Sequence, residues 1–79
     1  MTNQGRANAV LAAVKRIGVE QVAELLGLSP AGVYHHCRRG EFPADHCVRL
    51  EALTNGAVRA EELNDSLPWA ALRANAAAA

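Results

Sequence analysis

The chain has 79 residues, about half of them apolar (51%), with eight basic residues balanced by eight acidic ones and no net charge. That length suits one small domain near the lower limit for a self-sufficient core. It excludes a membrane span, because no apolar run approaches the ~20 residues needed, and it excludes a disulfide framework, because there are only two cysteines, Cys37 and Cys47. Zero net charge also disfavours a protein that holds nucleic acid by bulk charge alone, so any such role must rest on where the charges sit. Alanine supplies much of the apolar content, and Tyr34, Phe42 and Trp69 are the only aromatics of their kinds. A Leu/Val/Ile/Ala core suits packed helices better than sheets. With no signal peptide ahead of the domain, the expectation is a reduced, cytoplasmic protein.

The first element is "RANAVLAAVKRIG". Val10, Leu11, Val14 and Ile17 share one helical face, and Lys15 and Arg16 suit a C-terminus. The pattern predicts helix one at about 6–17. In "VEQVAELLG", Val22, Ala23, Leu25 and Leu26 point inward while Glu20, Gln21 and Glu24 point outward, giving helix two at about 19–26. In "LSPAGVYHHCRRG", Ser29 is a good N-cap, Pro30 a favoured first residue and Gly40 a good stop, which sets helix three at about 30–39. Gly32 inside it costs roughly 1 kcal/mol relative to Ala, which suggests that the position must stay small.

"EFPADHCVRLEALTNG" begins helix four near Pro43, with Cys47, Val48, Leu50 and Leu53 as its apolar set and Asn55-Gly56 as its closing turn, about 43–54. "VRAEEL" gives a short helix five at about 59–63. "NDSLPW" is a polar turn followed by the anchors Leu67 and Trp69, with Trp69 expected in the core or at a dimer contact. "AALRANAAAA" is an alanine tail, weakly helical or frayed, with nothing evident to tie it down. This divides the chain into a domain over 1–69 and a tail over 70–79.

"VAELLGLSPAGV" carries the functional signal. Ala23 stands four residues before Gly27 and Val33 six after it. A small residue lets two helices cross closely, a glycine permits the left-handed turn, and Leu26, Leu28 and Val33 fill the angle between them. This is the spacing of a helix-turn-helix, whose second helix enters the DNA major groove.

On "VAELLGLSPAGVY", "RRGEFPADHCVRLEALTNG" and "VRAEELNDSLPW", the chain resembles Cro-type phage repressors, and more closely the small Cro-like regulators of the YdaS antitoxin type, over about residues 8–69. The resemblance implies an all-α, five-helix, lambda-repressor-like fold. It also implies a sequence-specific transcriptional repressor that acts as a homodimer on double-stranded DNA. Carried over by position, the groove-facing set is Ser29, Pro30, Ala31, Tyr34, His35, Arg38 and Arg39. Ser29 could donate to a phosphate or base, and Ala31 could touch a thymine methyl. Tyr34 and His35 could bond base edges, Arg38 could fork onto a guanine or hold a phosphate, and Arg39 could hold the backbone. Three positions depart from the family: Pro30 and Val19 stand where a polar residue such as Gln is common, and His36 where a large apolar residue is preferred. A second reading keeps the scaffold as a protein-interaction module, or as an antitoxin with a toxin protein as partner.

The segment 29–40 contains His35, His36, Arg38 and Arg39 but no acid, so local positive potential is compatible with a neutral total. A histidine meeting phosphate would make binding tighten as pH falls through ~6.5. His36 is expected at the edge of the core. His35, His36 and Cys37 invite a zinc reading, but consecutive residues on a helix point about 100° apart and cannot converge, and the spacing fits none of the usual zinc patterns. Both cysteines read as small buried hydrophobes. No metal, cofactor or enzymatic activity is expected.

Overall fold

A computed structural model describes residues 3–78; residues 1–2 and 79, the ends of the expected domain and tail, lie outside them. The described residues form six helices: α1 (Asn3–Ile17), α2 (Val19–Leu26), α3 (Pro30–Arg39), α4 (Ala44–Leu53), α5 (Ala60–Leu63) and α6 (Trp69–Ala78). The all-helical architecture with its helix-turn-helix is as the pattern predicts. The count differs by one, because the alanine-rich segment forms a helix of its own.

The core joins Val10, Ala13 and Val14 of α1, Val22, Ala23 and Leu26 of α2, Val33 and Cys37 of α3, and Cys47 and Leu50 of α4. Val58, Ala60, Leu63 and Trp69 close it from the C-terminal side, and Phe42 fills it from the α3–α4 loop. Leu11, Ile17, Leu25, Leu28 and Leu67 are only partly buried around this centre. Two members of the apolar set read on α4 are instead outside, Val48 (56% exposed) and Leu53 (52%). Val48 follows Cys47 by one residue and so points about 100° away from the buried stripe. Leu53 sits at the helix's last residue, beyond the layer that Leu50 seals.

α1 starts one turn earlier than its apolar stripe. Asn3, Gln4 and Gly5 offer no hydrophobic periodicity, yet the Gln4 side chain donates to Asn8 Oδ1 (3.1 Å) along the helix surface. α1 is anchored at both ends to the α5 region: Arg6 meets Asp65 (3.3 Å), and Arg16 pairs with Glu62. α3 packs against α1 so closely that Gly40 is required twice over. Its φ is +81°, in the left-handed region, and a Cβ there would lie 2.8 Å from Arg6 Cβ.

A polar cluster under α5 organises the C-terminal half. Asn64 is buried; its amide nitrogen donates to the Phe42 carbonyl (3.0 Å), and its Oδ1 accepts from the Ser66 amide (3.0 Å) and hydroxyl (2.7 Å). The Trp69 indole N–H donates to the Asn64 carbonyl. Trp69 is thus a core residue of its own chain, bonded within it.

Arg73 holds α6 in place, contrary to the expectation that nothing ties this segment down. Its guanidinium donates to Glu51 of α4 (2.7 and 3.1 Å) and Glu61 of α5 (2.6 and 3.2 Å). Glu51 Oε1 also accepts the Ala60 amide at the start of α5 (2.9 Å). The Arg73 hydrogen bonds, above all, hold the Glu51 carboxyl down to about 2 from an ordinary 4.5. A depressed carboxylate contributes stability that is present above pH ~4.5 and lost as pH falls towards ~2. In Glu51→Gln, the loss of stability between neutral and acid solution is therefore expected to shrink, alongside lower stability at neutral pH. Urea unfolding followed by circular dichroism at both pH values reads this directly.

Candidate nucleic-acid interface

α2 and α3 are joined by three residues. Gly27 is left-handed (φ 69°, ψ 32°), and the amides of Gly27 and Leu28 turn back to the carbonyls of Glu24 (3.3 Å) and Ala23 (2.8 Å). This satisfies the carbonyls that the end of α2 leaves open. The chain then enters α3 through Ser29, whose Oγ accepts the Gly32 amide (3.1 Å), with Pro30 in the first turn. The Ser29 hydroxyl proton stays available to an outside acceptor. The glycine at 32 is not demanded by the packing: a Cβ would meet only Ser29 Oγ at 3.5 Å and Leu28 Cβ at 3.7 Å, ordinary contacts.

Val33 and Cys37 turn α3 into the core. Every residue of the expected reading set is exposed: Ser29, Pro30, Ala31, Tyr34, His35, Arg38 and Arg39. By helical period, Ala31, His35, Arg38 and Arg39 point away from the side buried through Val33 and Cys37. Ser29 and Pro30 stand at the helix start, and Tyr34 and Arg38 line the groove towards α1.

The neutral total hides a division of charge. Arg6, Arg16, Arg59 and Arg73 are paired with Asp65, Glu62, Glu51 and Glu61. Among the described residues, no ion pair involves Arg38, Arg39 or Arg49. Half of the chain's acids are thus committed to arginines of α1, of α6 and of the residue that precedes α5, while α3 keeps two unneutralised guanidinium groups. Glu20 and Glu24 are exposed on α2.

The two neighbouring histidines separate cleanly. His35 is exposed. His36 is half-buried, stacked on Phe42 with ring centroids 4.9 Å apart and 5.8 Å from His46. The Nδ1 atoms of His36 and His46 are buried and find no partner among the described residues. His36 is therefore the core-edge residue that the sequence suggests. Burial lowers its pKa first, followed by the charges of His46, His35 and Arg39. A histidine whose folded pKa is depressed contributes stability that is whole above ~6.5 and falls as pH drops through that value. Urea midpoints at mildly basic and mildly acidic pH should therefore differ, and His36→Phe should reduce the difference.

Cys37 and Cys47 are free and buried. Burial raises both thiols, and with the added charge of Asp45 pushes Cys47 up to about 12. Cys47 Sγ donates weakly to the Phe42 carbonyl (3.4 Å). A thiol in that state is a packing group, not a nucleophile. Among the described residues, no three of His, Cys, Asp and Glu gather as a metal-ligand set, and no helix is long and apolar enough to cross a membrane.

Sequence reasoning missed the surroundings of Tyr34 and Arg38. An open groove of about 370 Å³ runs between α1 and α3, rimmed by Gln4, Asn8, Tyr34 and Arg38 over a floor that includes Leu11 and Cys37. Nothing local marks Gln4 and Asn8; only the packing of α1 on α3 brings them there.

Comparison with known proteins agrees with this geometry. A family model described as a helix-turn-helix domain matches residues 17–50, which run from the end of α1 into α4. YdaS of Escherichia coli (strain K12), which carries the description of a transcriptional regulator, is 37% identical over 60 residues. That match covers 75% of this chain, and the chain spans 61% of the length of YdaS. No solved structure matches the chain.

Proposed function

We propose, from the premise that this chain belongs to the helix-turn-helix regulator family, that it binds double-stranded DNA through α3 and regulates transcription. The finer reading is a Cro-like repressor in the cytoplasm, acting as a homodimer on a palindromic operator. The observation that carries it is the exposure of all seven residues at α3, with no ion pair to Arg38 or Arg39 among the described residues. In this reading, Arg38 forks onto a guanine or grips a phosphate, and Arg39 holds the backbone. Tyr34 and His35 bond base edges, Ala31 meets a thymine methyl, Ser29 donates to phosphate, and Pro30 fixes where the helix begins.

Size supports the dimer of this reading. One ten-residue helix reads only a few base pairs, and two-fold symmetry doubles the site. Exposed Val48, Leu53 and Leu72 supply apolar surface for a second copy.

A second reading, a protein-interaction module or antitoxin whose partner is a toxin protein, is favoured by Glu20 and Glu24 beside the reading face, since acids repel phosphate. Selection from a random duplex library separates the two. A palindromic consensus is expected; a single half-site would remove the dimer, and no enrichment by a folded helical chain would remove DNA binding.

A further inference from the structure

The groove between α1 and α3 has a consequence for how a duplex would sit. A helix with its side chains is about 10–12 Å across, and the major groove is about 12 Å wide. With α3 in that groove, the phosphate walls run along its two flanks. Tyr34 and Arg38 are four residues apart and so occupy one flank together; it is the flank that faces α1. Packed helices lie about 8–10 Å apart, so the side chains of α1 on this side stand where the strand wall passes.

Those side chains are Gln4 and Asn8, one helical turn apart and both exposed. Gln4 Nε2 donates to Asn8 Oδ1 (3.1 Å). That bond occupies the Asn8 oxygen and leaves the Asn8 NH2, with two donor protons, as the group offered outward. The groove rim then presents the Asn8 amide, the Tyr34 hydroxyl and the Arg38 guanidinium, with no acid in its lining. A set of donors and one cation without a carboxylate complements a phosphodiester. The other neighbour of α3 is the reverse case: α2 exposes Glu20 and Glu24.

We infer that the DNA-binding face extends from α3 across this groove onto α1, with the Asn8 amide, set by Gln4, donating to a backbone phosphate beside Arg38. This rests on the reading of α3 as a DNA-binding helix. It makes the phosphate contacts lopsided, richer on the α1 side than on the α2 side. It also assigns Asn8 a role in affinity rather than in sequence choice, since phosphates carry no base information.

Fluorescence anisotropy with the selected duplex, across a salt series, tests the assignment. Asn8→Ala should weaken binding by roughly fivefold, the yield of one hydrogen bond to a charged partner at a wet surface. The loss should be equal for consensus and scrambled duplexes. The slope of log K against log salt should stay unchanged, because an amide displaces no counterion. Gln4→Ala should act in the same direction and more weakly, through the freed Asn8 rotamer. Asn8→Lys should tighten binding and steepen the slope by about 0.9, while Asn8→Asp should weaken it most.

If Asn8→Ala, Asn8→Asp and Asn8→Lys all bind as the parent does, with unchanged circular dichroism, while Arg38→Ala is impaired, then α1 is outside the interface and the inference fails alone. A parent chain that binds no duplex overturns both it and the reading beneath it.

Discussion

Phe42→Ala is expected to cost the chain a large part of its folding stability. Phe42 is the largest of the completely buried side chains, and it lies in the loop between α3 and α4, outside any helix. Its ring packs on His36, its amide donates to the Leu63 carbonyl (2.9 Å), and its carbonyl accepts from Asn64 (3.0 Å). It therefore fastens the exit of α3 to the α5 cluster through both side chain and backbone. Removing a buried phenyl ring costs about 3–5 kcal/mol. The whole stability of a domain this size is only about 4–12 kcal/mol, at roughly 0.05–0.15 kcal/mol per residue. Phe42→Leu, which retains most of the apolar volume, should lose about 1–2 kcal/mol and stay folded. Urea denaturation followed by circular dichroism distinguishes the pair. Equal midpoints for Phe42→Ala and the parent would mean that the loop is not part of the core.

Arg38→Ala is expected to produce the largest loss of DNA affinity of any single change on α3 that leaves the fold intact. Arg38 is exposed, in the penultimate position of the helix, and among the described residues it has no ion pair to release on binding. A bidentate arginine–guanine pair is worth about 1–3 kcal/mol, or roughly 5- to 150-fold in binding. If Arg38 reads a base, the loss should fall on the consensus duplex and spare scrambled ones. If it grips phosphate, the loss should be uniform, with the salt slope reduced by about 0.9. Folding should be unaffected in either case, because the side chain makes no ion pair and caps no helix. An Arg38→Ala variant that binds the consensus as tightly as the parent would exclude Arg38 from the contact.

The parts of the molecule legible in its sequence are those with local causes. Ser29-Pro30 and Gly40 bracket α3, and Gly27 ends α2, because caps and left-handed turns are decided within a few residues. The outward face of α3 could be read for the same reason: once Val33 and Cys37 are buried, helical period alone places Tyr34, His35, Arg38 and Arg39 outside. α6 was illegible because a run of alanines has no stripe, and the residue that secures it, Arg73, finds its partners 12 and 22 positions away. Phe42 stands between Glu41 and Pro43 with no periodicity around it, so only the closed fold shows it as a keystone. Val48 shows the opposite error: it is hydrophobic, adjacent to a buried cysteine, and still exposed. The division of charge also needed the fold, since a neutral sum says nothing about which arginines are already paired. The groove beside Tyr34 and Arg38 needed it most, because its far rim comes from the first turns of the chain.

The proposed function makes α3 the surface that meets DNA. An NMR titration of the isotopically labelled chain with the duplex obtained by selection reads that surface residue by residue. The account predicts that the largest amide shifts map to Ser29–Arg39, with a second group at Gln4 and Asn8 and little change in α5 and α6. Shifts concentrated on α4 and α6 with α3 silent, or none anywhere at saturating duplex, would contradict it.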